Sequence, residues 1–327
     1  MTLRFADCHN DLLLGVTFQR DLGVDDLFGT FWLPQLRAGN LDLVVLPVYT
    51  EDWFTGEAAL RRSLTTIETA RAMAARHAED VTLVTTAGQL REAIHAGRIA
   101  LVLAFEGMEP VGADIDLIDT FWHLGVRMAS LTWNRRTPFA DGLGERRTGA
   151  GLTKLGVQAV ERMQKLGMII DVSHLSDAGF DQIAEIATRP FVASHSSCRD
   201  VFDHPRNLDD QRLRTLAAAG GFAGMNAMGD FVGDGSTVDT YLDHVDHAVR
   251  LIGADHVALG VDFLADTETH TLPPPNQPKP GTFIDGLERP TDLPAFGERL
   301  EQRLGQDAAR QIASATLVSA IERLLPA

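Results

Sequence analysis

Apolar and polar positions fall in blocks along this chain. Eight runs, at residues 3–8, 41–48, 99–105, 126–133, 167–173, 190–195, 220–226 and 256–262, are mostly continuous apolar stretches. Burial on both faces produces such runs, and parallel strands covered by helices are buried that way. Between the runs the spacing becomes that of a single helix face. Leu60, Leu64, Ile67 and Ala74 mark one stripe, Leu155, Ala159, Met163 and Leu166 a second, and Tyr241, Val245, Ala248 and Ile252 a third. Strand–helix alternation with eight strands predicts an α/β fold, a (β/α)8 TIM-like barrel. Helices from about 292 to 325 are expected to cap or flank it. An open doubly wound sheet is the alternative. No Gly-rich phosphate loop of either common type follows a strand, which weighs against nucleotide binding.

The chain reads as one domain over residues 1–327. Its irregular stretch is 264–290, with the run Leu272-Pro273-Pro274-Pro275-Asn276-Gln277-Pro278-Lys279-Pro280-Gly281. It follows the eighth strand, so it is expected as a loop over the barrel mouth.

Five of the apolar runs end in side chains that bind metals. The first leads into His9-Asn10-Asp11, the third into Glu106, the fifth into His174, the sixth into His195 and the last into Asp262. A parallel barrel gathers strand ends on one face, so these groups are expected in one cavity. His9 and Asp11, two residues apart, share a face of an extended chain and can bind one ion together. Glu106 after seven apolar residues needs a buried partner, either cations or a basic side chain. Neutral imidazoles at 174 and 195 suit zinc and its neighbours. Asp262 fits proton transfer beside a metal-bound water, with ligation as the alternative. Arg206, in His204-Pro205-Arg206-Asn207-Leu208, offers a fork for a carboxylate. An ion pair to Asp209 or Asp210 is the alternative there.

Charge and cysteines narrow the partners. The net charge of −16 makes nucleic acid and anionic membranes poor partners. Cys8 and Cys198 are the two cysteines and form no CxxC pair, which argues against a disulfide scaffold or zinc finger. The start lacks a signal-peptide pattern and no run of 18 apolar residues occurs, so the expected location is cytoplasmic.

Read together, Asp7-Cys8-His9-Asn10-Asp11, Phe105-Glu106-Gly107-Met108, Asp171-Val172-Ser173-His174-Leu175-Ser176, Ala193-Ser194-His195-Ser196-Ser197, His204 to Leu208 and Gly260-Val261-Asp262-Phe263 resemble the membrane (renal) dipeptidase family of zinc peptidases. The resemblance covers Asp7 to about Phe263. It implies two zinc ions, with manganese or cobalt as substitutes. His9 and Asp11 would hold one ion, His174 and His195 the other, with Glu106 between them. It implies Arg206 on the substrate carboxylate, with Asn207 and Trp133 also lining the substrate site, and Asp262 on the proton. The implied activity is hydrolysis of dipeptides, including those with a C-terminal D-residue, by a binuclear-zinc-activated hydroxide. The expected partners are such a small substrate and a second copy in a homodimer.

Two departures stand out. The animal enzymes carry a His at the position of Trp133, where the resemblance implies an oxyanion-stabilising donor; Trp133 offers only an indole N–H. Ser314-Ala315-Thr316-Leu317-Val318 lacks the family's Gly-Asn pair. A related amidohydrolase acting on N-acyl amino acids or lactams, or a non-catalytic metal-binding homologue, are the rival expectations.

Overall fold

In the computed structural model, which describes residues 3–271 and 282–327, the predicted runs assemble into one parallel sheet. Its strands are β1 (Phe5–Asp7), β2 (Leu41–Tyr49), β3 (Val81–Leu83), β4 (Ile99–Glu106), β5 (Val126–Ser130), β6 (Ile169–Asp171), β7 (Ala223–Met225) and β8 (Val257–Leu259). The hydrogen-bonded order is β6-β5-β4-β2-β1-β8-β7, with β3 beside β4. Between β6 and β7 lies the predicted run 190–195. It forms no full strand, but Asp171↔Val192 and Ala193↔Ala223 bridges hold it parallel to both neighbours. Val192 N donates to Ile170 O at 2.9 Å and Gly224 N to Ala193 O at 2.7 Å. That stave closes the ring.

One strand departs from the sequence prediction. β3 is short and its apolar signal too weak to stand out. It pairs with the N-terminal half of β4, at Ile99 to Leu101, while β5 takes the same edge from Leu103 onward. It is therefore an accessory strand outside the ring. The helix Glu57–Arg76 also departs from its predicted stripe. Its buried face runs through Ser63, Thr66, Ile67, Ala70, Met73 and Ala74, which leaves Leu64 41% exposed on the rim of that face.

The continuous apolar runs have a simple cause: alternate residues serve two cores. Ala6, Cys8, Leu43, Val45, Ala100, Val102, Ala104, Met128, Ile169, Val192 and Ala258 fill the barrel. Phe5, Val44, Leu46, Leu101, Leu103, Phe105, Ile170, Met225 and Leu259 face the surrounding helices. The C-terminal helix Thr316–Leu324 adds Leu317, Ala320, Ile321 and Leu324 to the inner cluster. It plugs the end of the barrel opposite the site. After β8, Ala265–His270, inside the stretch expected as a loop, forms a helix instead, tied to the helix Leu12–Asp21 by Gln19 Nε2 donating to His270 O at 2.9 Å. The Pro-rich run Leu272–Gly281 lies outside the described residues.

Candidate metal centre

Register places the first group of site residues. Tyr49, Glu106, Ser130 and Asp171 are paired in turn across β2, β4, β5 and β6 and form one row at the C-terminal rim. Glu106 follows Ala104 by two residues, so it points into the barrel as Ala104 does. His9 and Asp11 leave β1, and His195 leaves the bridging stave. His174 and Asp262, just beyond β6 and β8, each adopt φ of 66°. The left-handed region costs an L-residue ~1–2 kcal/mol, and such strain concentrates where a side chain must be aimed.

The strand ends converge on one carboxylate oxygen. Glu106 Oε1 lies 2.9 Å from His174 Nε2, 3.5 Å from His195 Nε2 and 3.7 Å from His9 Nε2. His9 Nε2 is also 3.5 Å from Asp11 Oδ2 and 3.9 Å from Asp262 Oδ1. The His9 and His195 rings stack with centroids 3.6 Å apart. Two overlapping groups, His9–Glu106–His195 and His9–Asp11–Asp262, each keep their ligand atoms within 4.8 Å of one another.

The outer nitrogens of two imidazoles are fixed. Asn134 Oδ1 accepts from His174 Nδ1 at 3.0 Å. Ser194 Oγ lies 2.6 Å from His195 Nδ1 and 2.5 Å from Asp171 Oδ2. The carboxylate takes the single hydroxyl proton of Ser194, so His195 must donate from Nδ1. Both imidazoles therefore turn an Nε2 lone pair inward, and these two nitrogens are 3.0 Å apart. Lone pairs cannot face each other and a carboxylate in a dry cavity without a cation or a proton between them. His9 Nε2 is likewise buried without a hydrogen-bond partner.

Protonation shows the same demand. Burial opposes a charge on His9, but Glu106, Asp11 and Asp262 outweigh it and push the imidazole up to about 10. Burial, helped by Asp11 and Asp262, holds Glu106 well above the usual carboxylate range. Burial and the adjoining Asp11 carboxyl push Asp262 up to about 7. Burial with the nearby Arg206 and His9 charges keeps His174 and His195 well below 6.5, hence neutral. Three carboxylates crowded with neutral imidazoles are a donor set for divalent cations. The residues fit the metal that the sequence implies.

The remaining predicted residues fall around this centre. Arg206 is 4% exposed; its Nη1 donates to Ser196 Oγ at 2.8 Å, while Nε and Nη2 are buried without partners. Its charge acts on Asp262, Glu106 and Asp171, while Asp209 pairs with Arg212 and Asp210 with His247. Asn207 Nδ2 donates to Phe202 O at 3.0 Å and Phe231 O at 2.7 Å, which ties it to loop backbone. Trp133, half-buried, packs edge-on to Tyr49 at 5.2 Å and lies 6.0 Å from His174. Asn226 Nδ2 donates to Asp262 Oδ2 at 2.9 Å. Sequence reasoning passed over Asn134, Asp171, Ser194, Asn226 and Tyr49. Asp171 carried a signal, because it interrupts an apolar strand as Glu106 does.

Comparison with known proteins agrees with this geometry. Residues 2–317 match the model of the membrane dipeptidase family, peptidase family M19. An uncharacterized dipeptidase of Schizosaccharomyces pombe is 31% identical over 285 residues, covering 80% of this chain and 68% of that protein. The dipeptidase verJ of Clonostachys rogersoniana is 30% identical over 270 residues, 79% of this chain and 66% of that protein. A crystallised dipeptidase of family M19 superposes with a TM-score of 0.87 at 26% identity, over 100% of both chains. A metallopeptidase of Rhodobacter sphaeroides, crystallised with a phosphinate mimic of L-Ala-D-Ala, superposes with a TM-score of 0.88 at 24% identity. That match covers 99% of this chain and 100% of the other. The barrel, the buried donor set and these matches lead to one conclusion: the chain belongs to the membrane dipeptidase family, M19, and is a metallodipeptidase.

Proposed function

We propose that this dipeptidase cleaves dipeptides with a free C-terminal carboxylate, accepts a D-residue at that position, and works with two zinc ions. His9 and Asp11 would hold one ion, His174 and His195 the other, and Glu106 would reach both. Manganese or cobalt would suit the same donors. The observation that carries the assignment is the convergence of three imidazole nitrogens on Glu106 Oε1, at 2.9, 3.5 and 3.7 Å. Bound divalent cations supply Lewis acidity toward the scissile carbonyl and lower the pKa of water.

This chain's own residues account for the rest. Arg206 keeps its Nε–Nη2 edge free, the edge that grips a carboxylate with two parallel hydrogen bonds. That grip fixes the scissile bond beside Glu106 and Asp262. Asp262 takes the proton from the attacking water and returns it to the departing amine. Asn226 orients it through Oδ2, which leaves Oδ1 toward His9. Trp133 and Tyr49 form an aromatic wall at the rim. Acceptance of a D-residue is supported by the L-Ala-D-Ala mimic bound to the R. sphaeroides protein.

The test is turnover by zinc-loaded protein of L-Ala-D-Ala, L-Ala-L-Ala, N-acetyl-D-Ala and a simple lactam. Hydrolysis of L-Ala-D-Ala above the N-acyl compound and the lactam is the expected result. The reverse order would replace this reading with an amidohydrolase for non-peptides.

A further inference from the structure

A buried chain of three serine hydroxyls runs from Arg206 to the imidazole of His195. Arg206 Nη1 donates to Ser196 Oγ at 2.8 Å, and Ser196 Oγ lies 3.3 Å from Ser173 Oγ. Ser173 Oγ lies 3.3 Å from Ser194 Oγ and accepts from the backbone N–H of His195 at 3.1 Å. Ser194 Oγ meets both His195 Nδ1 and Asp171 Oδ2. Ser173, Ser194 and Ser196 are all at most 1% exposed.

Asp171 takes the Ser194 proton, so Ser194 Oγ accepts from His195 Nδ1, while Ser196 Oγ accepts from the guanidinium. Ser173 Oγ, which accepts from the backbone N–H of His195, lies 3.3 Å from both Ser196 Oγ and Ser194 Oγ. The three hydroxyls thus link a buried cation to a buried carboxylate. Polar contacts gathered in a low-dielectric interior polarise and strengthen one another. Asp171 Oδ1 also accepts from the N–H groups of Ser173, at 3.0 Å, and Ser194, at 2.9 Å, which locks the far end.

We propose that Ser196 and Ser173 are positioning residues that aim the Arg206 guanidinium and seat the His195 imidazole from a common anchor, Asp171. Ser196 is the sole hydrogen-bond partner of the guanidinium among the described residues, so it sets the direction of the free Nε–Nη2 edge. Ser173 is the junction: it touches the branch toward Arg206 and the branch toward His195. This inference rests on the assignment of Arg206 to the substrate carboxylate and His195 to metal. The two branches predict different losses. Removing the Ser196 hydroxyl misaims Arg206 and leaves His195 seated. Removing the Ser173 hydroxyl disturbs both.

The experiment compares wild type, Ser196→Ala, Ser173→Ala and Ser173→Cys, with zinc affinity read by chelator competition and kinetics on L-Ala-D-Ala and its C-terminal amide. Ser173→Cys keeps the volume and serves if the alanine variant does not fold. Ser196→Ala should raise KM for the free acid about tenfold or more, the scale of a buried charged hydrogen bond. Its kcat should stay within about twofold. Its acid-over-amide preference should shrink by the same factor, with zinc affinity unchanged. The Ser173 variants should show that shrinkage and also bind zinc about 10- to 100-fold more weakly. An unchanged acid-over-amide ratio in Ser196→Ala, or unchanged zinc affinity in both Ser173 variants, would overturn the proposal. Wild-type protein that cleaves no dipeptide would instead overturn the functional reading, and the zinc-affinity arm would still decide the role of Ser173.

Discussion

Arg206→Met puts the substrate grip to a quantitative test. The side chain is 4% exposed, so the guanidinium sits in a dry cavity facing Glu106 and Asp262. Methionine has a similar length and keeps the apolar stem packed near Phe231, over which Arg206 lies at 5.8 Å. What is lost is the unpartnered Nε–Nη2 edge. Each charge-assisted hydrogen bond to a carboxylate contributes ~1.5–3 kcal/mol, so two amount to ~3–6 kcal/mol. That is roughly 10²- to 10⁴-fold in kcat/KM. The assay is kcat/KM for L-Ala-D-Ala against its C-terminal amide. Wild type should prefer the acid by a comparable factor, and Arg206→Met should treat both alike. Zinc affinity should not fall, because removing a buried positive charge relieves repulsion toward cations. A loss under about tenfold, or an equal loss on acid and amide, would refute the grip.

Other outcomes follow from the same geometry. Asp262→Asn keeps the bond to Asn226, and asparagine tolerates the left-handed backbone, so the fold and metal should survive while kcat falls ~10²- to 10⁴-fold; full turnover would remove the proton-transfer role. Asn134→Ala frees His174 Nδ1 and should weaken zinc binding ~10- to 100-fold by chelator competition, and an unchanged affinity would show that the Asn134 contact is dispensable. In metal-free protein His9 is raised to about 10, so a proton occupies it at neutral pH and zinc must displace it. Rising pH removes the competitor, and because burial also keeps a proton on Glu106, apparent zinc affinity should climb at least about tenfold per unit from pH 6 to 8, with protons released on binding. A flat profile would mean that zinc binds without displacing the His9 proton.

Much of the ring was legible because parallel strands sheathed by helices are apolar on both faces, and alternate residues of β4 do fill the inner and outer cores. The donor set was visible for a related reason: Glu106 and His174 break apolar runs where nothing local pairs with them. What escaped was of two kinds. β3 is three residues long and outside the ring, so neither length nor periodicity marked it. Asn134, Ser173, Ser194 and Ser196 matter through pairings between different strand ends, and small polar residues after a strand look like ordinary turn formers. Only the closed barrel brings Ser173 against Ser196, 23 positions apart. Leu64 shows the opposite error, since an apolar residue at helical spacing sat just beyond the buried face.

The central proposal is that Glu106 would stand between two cations, one held by His9 with Asp11 and the other by His174 with His195. Anomalous diffraction at the zinc absorption edge from crystals of the purified protein tests it most directly. Two peaks in the barrel mouth, one on either side of the Glu106 carboxylate, are the predicted result. Zinc-soaked crystals with no peak within bonding reach of Glu106 would contradict it.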